Sequence, residues 1–134
     1  MHTLTIILDT NEFIYGITQT KEASTNLLAC LQDFVVKVPR IILDELYQNL
    51  RRDLLKELYK LLRDTNAEII EKKTPVALVN KYEEQVPYED AVIASYCEQL
   101  NIDILISENR HFLVGFQPKS FQVLSASDFL KKFP

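Results

Sequence analysis

The sequence predicts an α/β fold: a doubly wound, three-layer sandwich with helices on both faces of a parallel sheet. Three observations lead there. Five short runs are apolar and β-branched on nearly every residue, as strands buried on both faces are. Helical patterns alternate with these runs along the chain. At 134 residues, 47% of them apolar, the chain can bury one continuous core, so 1–134 reads as a single domain.

The first strand covers 3–8 and runs into a carboxylate at Asp9. This opening segment has no basic leader, so it reads as a strand and not as an export signal. A helix is expected over 24–32 and a second strand over 34–38. One long helix is then expected over 39–63, because Ile42, Leu46, Leu50, Leu54, Leu58 and Leu61 recur at helical spacing and Leu43, Leu55 and Leu62 widen the stripe. A third strand over 67–70 precedes helices over 75–86 and 88–100. The fourth and fifth strands cover 102–106 and 120–124, and a helix over 127–133 closes the pattern.

Several classes are excluded early. No apolar run approaches the ~20 residues a membrane helix needs, so no membrane partner is expected. Cys30 and Cys97 have no Cys or His at ligand spacing and read as buried free thiols of a reducing, cytoplasmic protein. With glycine only at 16 and 115, neither a P-loop nor a Gly-rich dinucleotide site can be built. A receiver domain would want an acidic pair after the first strand and a Lys after the last strand, where this chain has Ser125-Ala126-Ser127. A dehalogenase-like phosphatase would want Asp-x-Asp, and the chain has Asp9-Thr10-Asn11.

Fifteen basic residues against 19 acidic ones give a net charge of −4, so a polyanion needs a local basic patch or a bound cation to approach. The outer face of the long helix carries Arg51, Arg52, Lys56, Lys60 and Arg63, interrupted by Asp53, Glu57 and Asp64. A solvated helix face accounts for that mixture, and a phosphate-tracking surface is the sharper reading.

In open α/β sheets the functional crevice lies beyond the carboxyl ends of the strands. Asp9 ends the first strand, where it can cap a following helix or serve chemistry. Glu45 lies in the second turn after the second strand, with Asn49 one turn on, both at the margin of the apolar stripe; Asp44 points further away. A helix dipole alone would favour an acid there. Asp90 has Ile93, Ala94 and Cys97 at i+3, i+4 and i+7, which places its carboxylate on an inward face where carboxylates are rarely unpaired. Capping by first-turn amides is its alternative reading. The fourth strand runs into Ser107-Glu108-Asn109-Arg110-His111-Phe112, either a local turn or a functional loop anchored by Phe112. Converging carboxylates without Cys or His suit a hard ion, Mg²⁺ or Mn²⁺, and that implies phosphoryl transfer or phosphodiester hydrolysis.

Four segments together resemble the PIN-domain family, particularly its short VapC-type toxin nucleases: Ile7 to Asn11, Val38 to Leu46, Glu89 to Ala94, and Leu105 to Phe112. The resemblance spans nearly the whole chain. It implies a five-stranded parallel sheet in the order 3-2-1-4-5 and metal-dependent ribonuclease activity on single-stranded or structured RNA. It also implies dimerisation and inhibition by an antitoxin protein. Asp9, Glu45 and Asp90 fall on the family's regular acidic metal positions. Ser107, Asn109 and Phe112 fit its fourth segment, in which Glu108 is displaced by one position and His111 stands where many members have a further Asp.

The leading expectation is therefore a Mg²⁺- or Mn²⁺-dependent endoribonuclease, the toxin of a toxin–antitoxin pair and a homodimer. Asp9 and Asp90 would hold the metal, Glu45 would complete or orient the site, and Asn109 would support a ligand or bound water. Asn11, Asn49, Ser107 and Glu108 would support them, while Arg51, Arg52, Arg110 and Lys119 would offer phosphate contacts. The altered fourth segment supplies the alternative, a PIN-like module that binds RNA or protein without cutting.

Overall fold

Strand β1 (Thr5–Leu8) is the centre of a parallel five-stranded sheet, with β2 (Val35–Pro39) and β3 (Glu68–Ile70) on one side and β4 (Ile104–Ile106) and β5 (Gln122–Leu124) on the other. The order is the expected 3-2-1-4-5, with helices on both faces. This computed structural model describes residues 3–134; Met1 and His2, part of the segment expected to lead into the first strand, lie outside the described residues. Ile6, Ile7 and Leu8 are buried, as are Ile104, Leu105 and Ile106, so both central strands are covered above and below.

The chain leaves β1 toward β2 and β3, then returns across β1 to reach β4. That reversal makes the β1–β4 seam the topological switch point, where parallel sheets of this kind open a crevice. Leu8 pairs with Ile106 across the seam, which brings Asp9 and Ser107 side by side just beyond it.

Two helical expectations need correction. The segment after Asp9 is helix α1 (Thr10–Ile17), for which no helix was expected. Its β-branched residues and Gly16 give it a weak local signal; the Asp9 side chain capping Thr10 N at 2.8 Å and the burial of Phe13 hold it. The helix expected over 39–63 is two helices, α3 (Arg40–Asn49) and α4 (Arg52–Asp64), broken where Leu50 and Arg51 are extended. Asn49 Nδ2 donates to the Glu45 carbonyl at 2.7 Å and competes with the helical ladder, while the apolar stripe runs through both helices and hides the break.

The remaining helices are α2 (Glu22–Ala29), α5 (Val76–Glu83), α6 (Tyr88–Gln99), the single turn α7 (Arg110–Leu113) and α8 (Ala126–Lys132). Among the described residues no helix is long and apolar enough to cross a membrane. Cys30 and Cys97 are free thiols; Cys97 is buried as expected, whereas Cys30, at the end of α2, is only half-buried.

Helices α1 and α2 approach closely at Gly16, where a Cβ would lie 2.9 Å from the Ser24 carbonyl oxygen and run into the Leu28 side chain. We expect Gly16→Ala to destabilise the fold by roughly 1–3 kcal/mol, as overpacking does. A lowered urea midpoint would show it; an unchanged midpoint would mean that α2 shifts freely.

Candidate active site

Ser107 and Asp9 join the two central strands chemically as well as by register. Ser107 Oγ donates to Asp9 Oδ2 at 2.7 Å, both groups being buried, and the same oxygen accepts the Asn109 amide at 3.0 Å. Asp9 Oδ1 takes the Thr10 amide, and Thr10 Oγ1 reaches across to α3, donating to Glu45 Oε2 at 2.8 Å. Asp9 and Glu45 are thus linked through one threonine.

Asp90 enters from the first turn of α6. Its Oδ1 accepts Asn109 Nδ2 at 3.0 Å, and its Oδ2 is hydrogen-bonded with His111 Nδ1 at 2.9 Å. Asn109 Oδ1 in turn caps α7 by accepting the His111 amide at 3.0 Å. One asparagine therefore ties the loop after β4 to α6 and starts the next turn. Phe112 is buried against Phe116, ring centroids 5.4 Å apart, and anchors the loop as expected.

The three acids influence one another. Burial pushes the Asp9 carboxyl up from its ordinary value, with the charge of Asp90 adding to the rise and the Ser107 and Thr10 bonds opposing it. Burial likewise raises Glu45, as do the charges of Asp9, Glu89 and Asp90, against the Thr10 bond. Among the described residues no three His, Cys, Asp or Glu side chains close directly around one point as a ready metal cage. The donor chemistry nevertheless fits a hard ion held by one or two carboxylates and several waters, the usual manner of Mg²⁺.

Glu108 lines the same cleft as Asp90, but its carboxylate is engaged by other partners. Its Oε2 accepts the Ala126 amide at the start of α8, at 2.8 Å, and its carboxylate lies against Glu12 of α1. Burial pushes Glu12 up to about 9, reinforced by the hydrogen bond and charge of Glu108, so Glu12 is a neutral acid near pH 7 and donates to its neighbour. Burial also raises Glu108, but the Glu12 bond, the Ala126 amide and the charge of Lys21 outweigh it and leave that carboxyl below its ordinary value. A shared proton accounts for Glu12 Oε1, a buried oxygen with no conventional donor aimed at it. Sequence reasoning missed Glu12. Its only signal, an acid three residues after Asp9, imitates a capping box, whereas the Asp9 amide bonds Ile106 instead.

A cleft of about 600 Å³ opens beside Asp90, lined among others by Asn11, Tyr15, Lys21, Tyr88, Asn109 and His111. Asn11 is exposed there, whereas Asn49 is spent on the Glu45 carbonyl. Arg51, Arg52, Arg110 and Lys119 are exposed elsewhere and none lines the cleft. Arg51 reaches Asp53 at 3.4 Å.

The PIN domain family profile matches residues 6–114, a span that includes every acid of the site. The chain belongs to the PIN-domain family. Its fold is also similar to a crystal structure of VapBC2 from Rickettsia felis bound to a DNA fragment from their promoter, with a TM-score of 0.66 and 21% identity over 90% of this chain and 98% of that one. No curated protein sequence matches it.

The raised Glu12 value sets a pH dependence. The unfolded chain releases this proton near 4.5 and the folded chain near 9, so the stability Glu12 confers is complete below the first value and is lost as pH rises toward the second. Glu12→Gln keeps an N–H donor toward Glu108 without the ionisation. Between about pH 6 and about pH 8.5 the wild-type urea midpoint should fall more steeply than that of Glu12→Gln. Parallel declines would place the shared proton elsewhere.

Proposed function

We propose that this PIN-domain chain is a metal-dependent endoribonuclease, the toxin of a toxin–antitoxin pair. The supporting observation is the chain of hydrogen bonds through Thr10, Ser107 and Asn109 that brings Asp9, Glu45 and Asp90 to one place at the carboxyl edge of the sheet. Bound there, Mg²⁺ or Mn²⁺ would lower the pKa of an attacking water and stabilise charge on the phosphate oxygens. Asp9 and Asp90 are assigned to holding the ion and Glu45 to completing the site. Ser107 and Thr10 orient Asp9 and Glu45 through donated hydrogen bonds, and Asn109 does the same for Asp90.

The fold likeness to a chain of a VapBC2 complex supports an antitoxin protein as partner. A homodimer working in the cytoplasm completes the proposal. Arg51, Arg52, Arg110 and Lys119, outside the cleft, are assigned to phosphates further along the RNA.

A second reading is favoured by a separate observation. His111 occupies Asp90 Oδ2, and no ready three-ligand cage exists among the described residues, as suits a module that binds RNA or protein without cutting. Two measurements separate the readings. With Mn²⁺ and mixed RNAs, the wild type should cleave, and Asp9→Asn should lose at least the roughly 10–100-fold that even an outer contact of a metal site costs. Equal cleavage by both proteins would sink the nuclease assignment. Calorimetric titration should show Mn²⁺ binding that Asp90→Ala abolishes, whereas a wild type without Mn²⁺ binding would make the chain a binding module.

A further inference from the structure

The large aromatic side chains of this molecule are mostly buried, but Tyr88 is 60% exposed. It opens α6 two residues before Asp90, and it lines the 600 Å³ cleft on the α6 side. Pro87, with φ −59° and ψ 161°, sets the entry to the helix, and the Ala91 amide closes the first turn on the Pro87 carbonyl at 2.8 Å. The ring is therefore carried by a stiff turn and not by a loose loop. On the α1–α2 side of the same cleft, Lys21 Nζ lies 4.3 Å from the centroid of the Tyr15 ring, a cation–π contact that restrains the ammonium. Lys21 is the one Lys or Arg lining the cleft among the described residues.

We propose that this cleft is a single-stranded nucleotide subsite, in which the base adjoining the scissile phosphate stacks on Tyr88 and a backbone phosphate meets Lys21. The inference rests on the ribonuclease reading and specifies how that site takes its substrate. A base can lie on an exposed ring only when it is unstacked from its neighbours, which selects single strands, loops or ends over duplex RNA. The volume falls within the ~300–1,000 Å³ of small-ligand pockets. Stacking is also indifferent to the negative charge of Glu89 and Glu108, which line the same cleft.

The test is fluorescence anisotropy with a labelled, uncleavable 2′-O-methyl oligonucleotide, its fully abasic counterpart, and a short oligoarginine peptide. Tyr88→Ala should weaken the intact oligonucleotide by roughly tenfold, within the range for loss of one stacked base, and leave the abasic strand unaffected. Tyr88→Phe should bind as the wild type does. Lys21→Gln should weaken both strands and lower the salt dependence by about one ion. Unchanged binding by Tyr88→Ala, or an equal loss on the abasic strand, overturns the subsite, as does a Tyr88→Ala effect confined to the peptide. Wild-type cleavage together with any of these outcomes leaves the nuclease reading standing, whereas a wild type that neither binds nor cuts RNA overturns both.

Discussion

The hydrogen bond from Ser107 to Asp9 is the contact on which the rest of the site depends. It exists because the apolar strands β1 and β4 pair with Leu8 beside Ile106, leaving the next residue of each strand at the sheet edge. A fully buried hydroxyl must have its partners inside the protein. Ser107 gives its proton to Asp9 and accepts from the Asn109 amide, so one oxygen fixes a carboxylate on one side and starts the Asn109 turn on the other. Thr10 extends the first arm to Glu45, and Asn109 extends the second to Asp90. Side chains from four segments far apart in sequence are thereby set by one seam.

So many acids at one edge pose an electrostatic problem that the protein answers locally. Asp9 and Glu45 receive hydroxyl or amide donors, Asp90 receives an amide and an imidazole, and Glu108 receives a helix amide. Glu12 differs: Ser24 Oγ donates to its Oε2 at 3.3 Å, and burial with the neighbouring Glu108 keeps its carboxyl protonated. A site of this kind costs stability, because burial disfavours the charges it concentrates. Beside the site, α1, the loop after β4 and the start of α8 meet at the Glu12–Glu108 pair.

Much of this was legible in the sequence. Doubly buried strands announce themselves by composition, and strand-terminal acids gained meaning from the topology those strands imply. Helix α1 was not legible, since its stability comes from the Asp9 cap and from the contact of Gly16 with α2 and not from propensity. The break at Leu50 was not legible either, because two helices in phase share one apolar stripe. Glu108 and Asn109 show the finest limit. Adjacent residues of the loop after β4 take different partners, and only the structure reveals that Asn109 meets Asp90 while Glu108 meets a protonated Glu12.

A net charge of −4 repels a polyanionic partner overall. Location qualifies it. A basic stripe could have drawn RNA in by counterion release, but the arginines of α4 and α7 stand outside the cleft and Lys21 is the one Lys or Arg within it among the described residues. An acidic surface can still hold RNA if much of the binding free energy is uncharged, and base stacking is the available uncharged contact. Tyr88, exposed on a stiff turn two residues from Asp90, is placed to supply it. Such an interaction weakens little with salt, and it selects strands whose bases are already free.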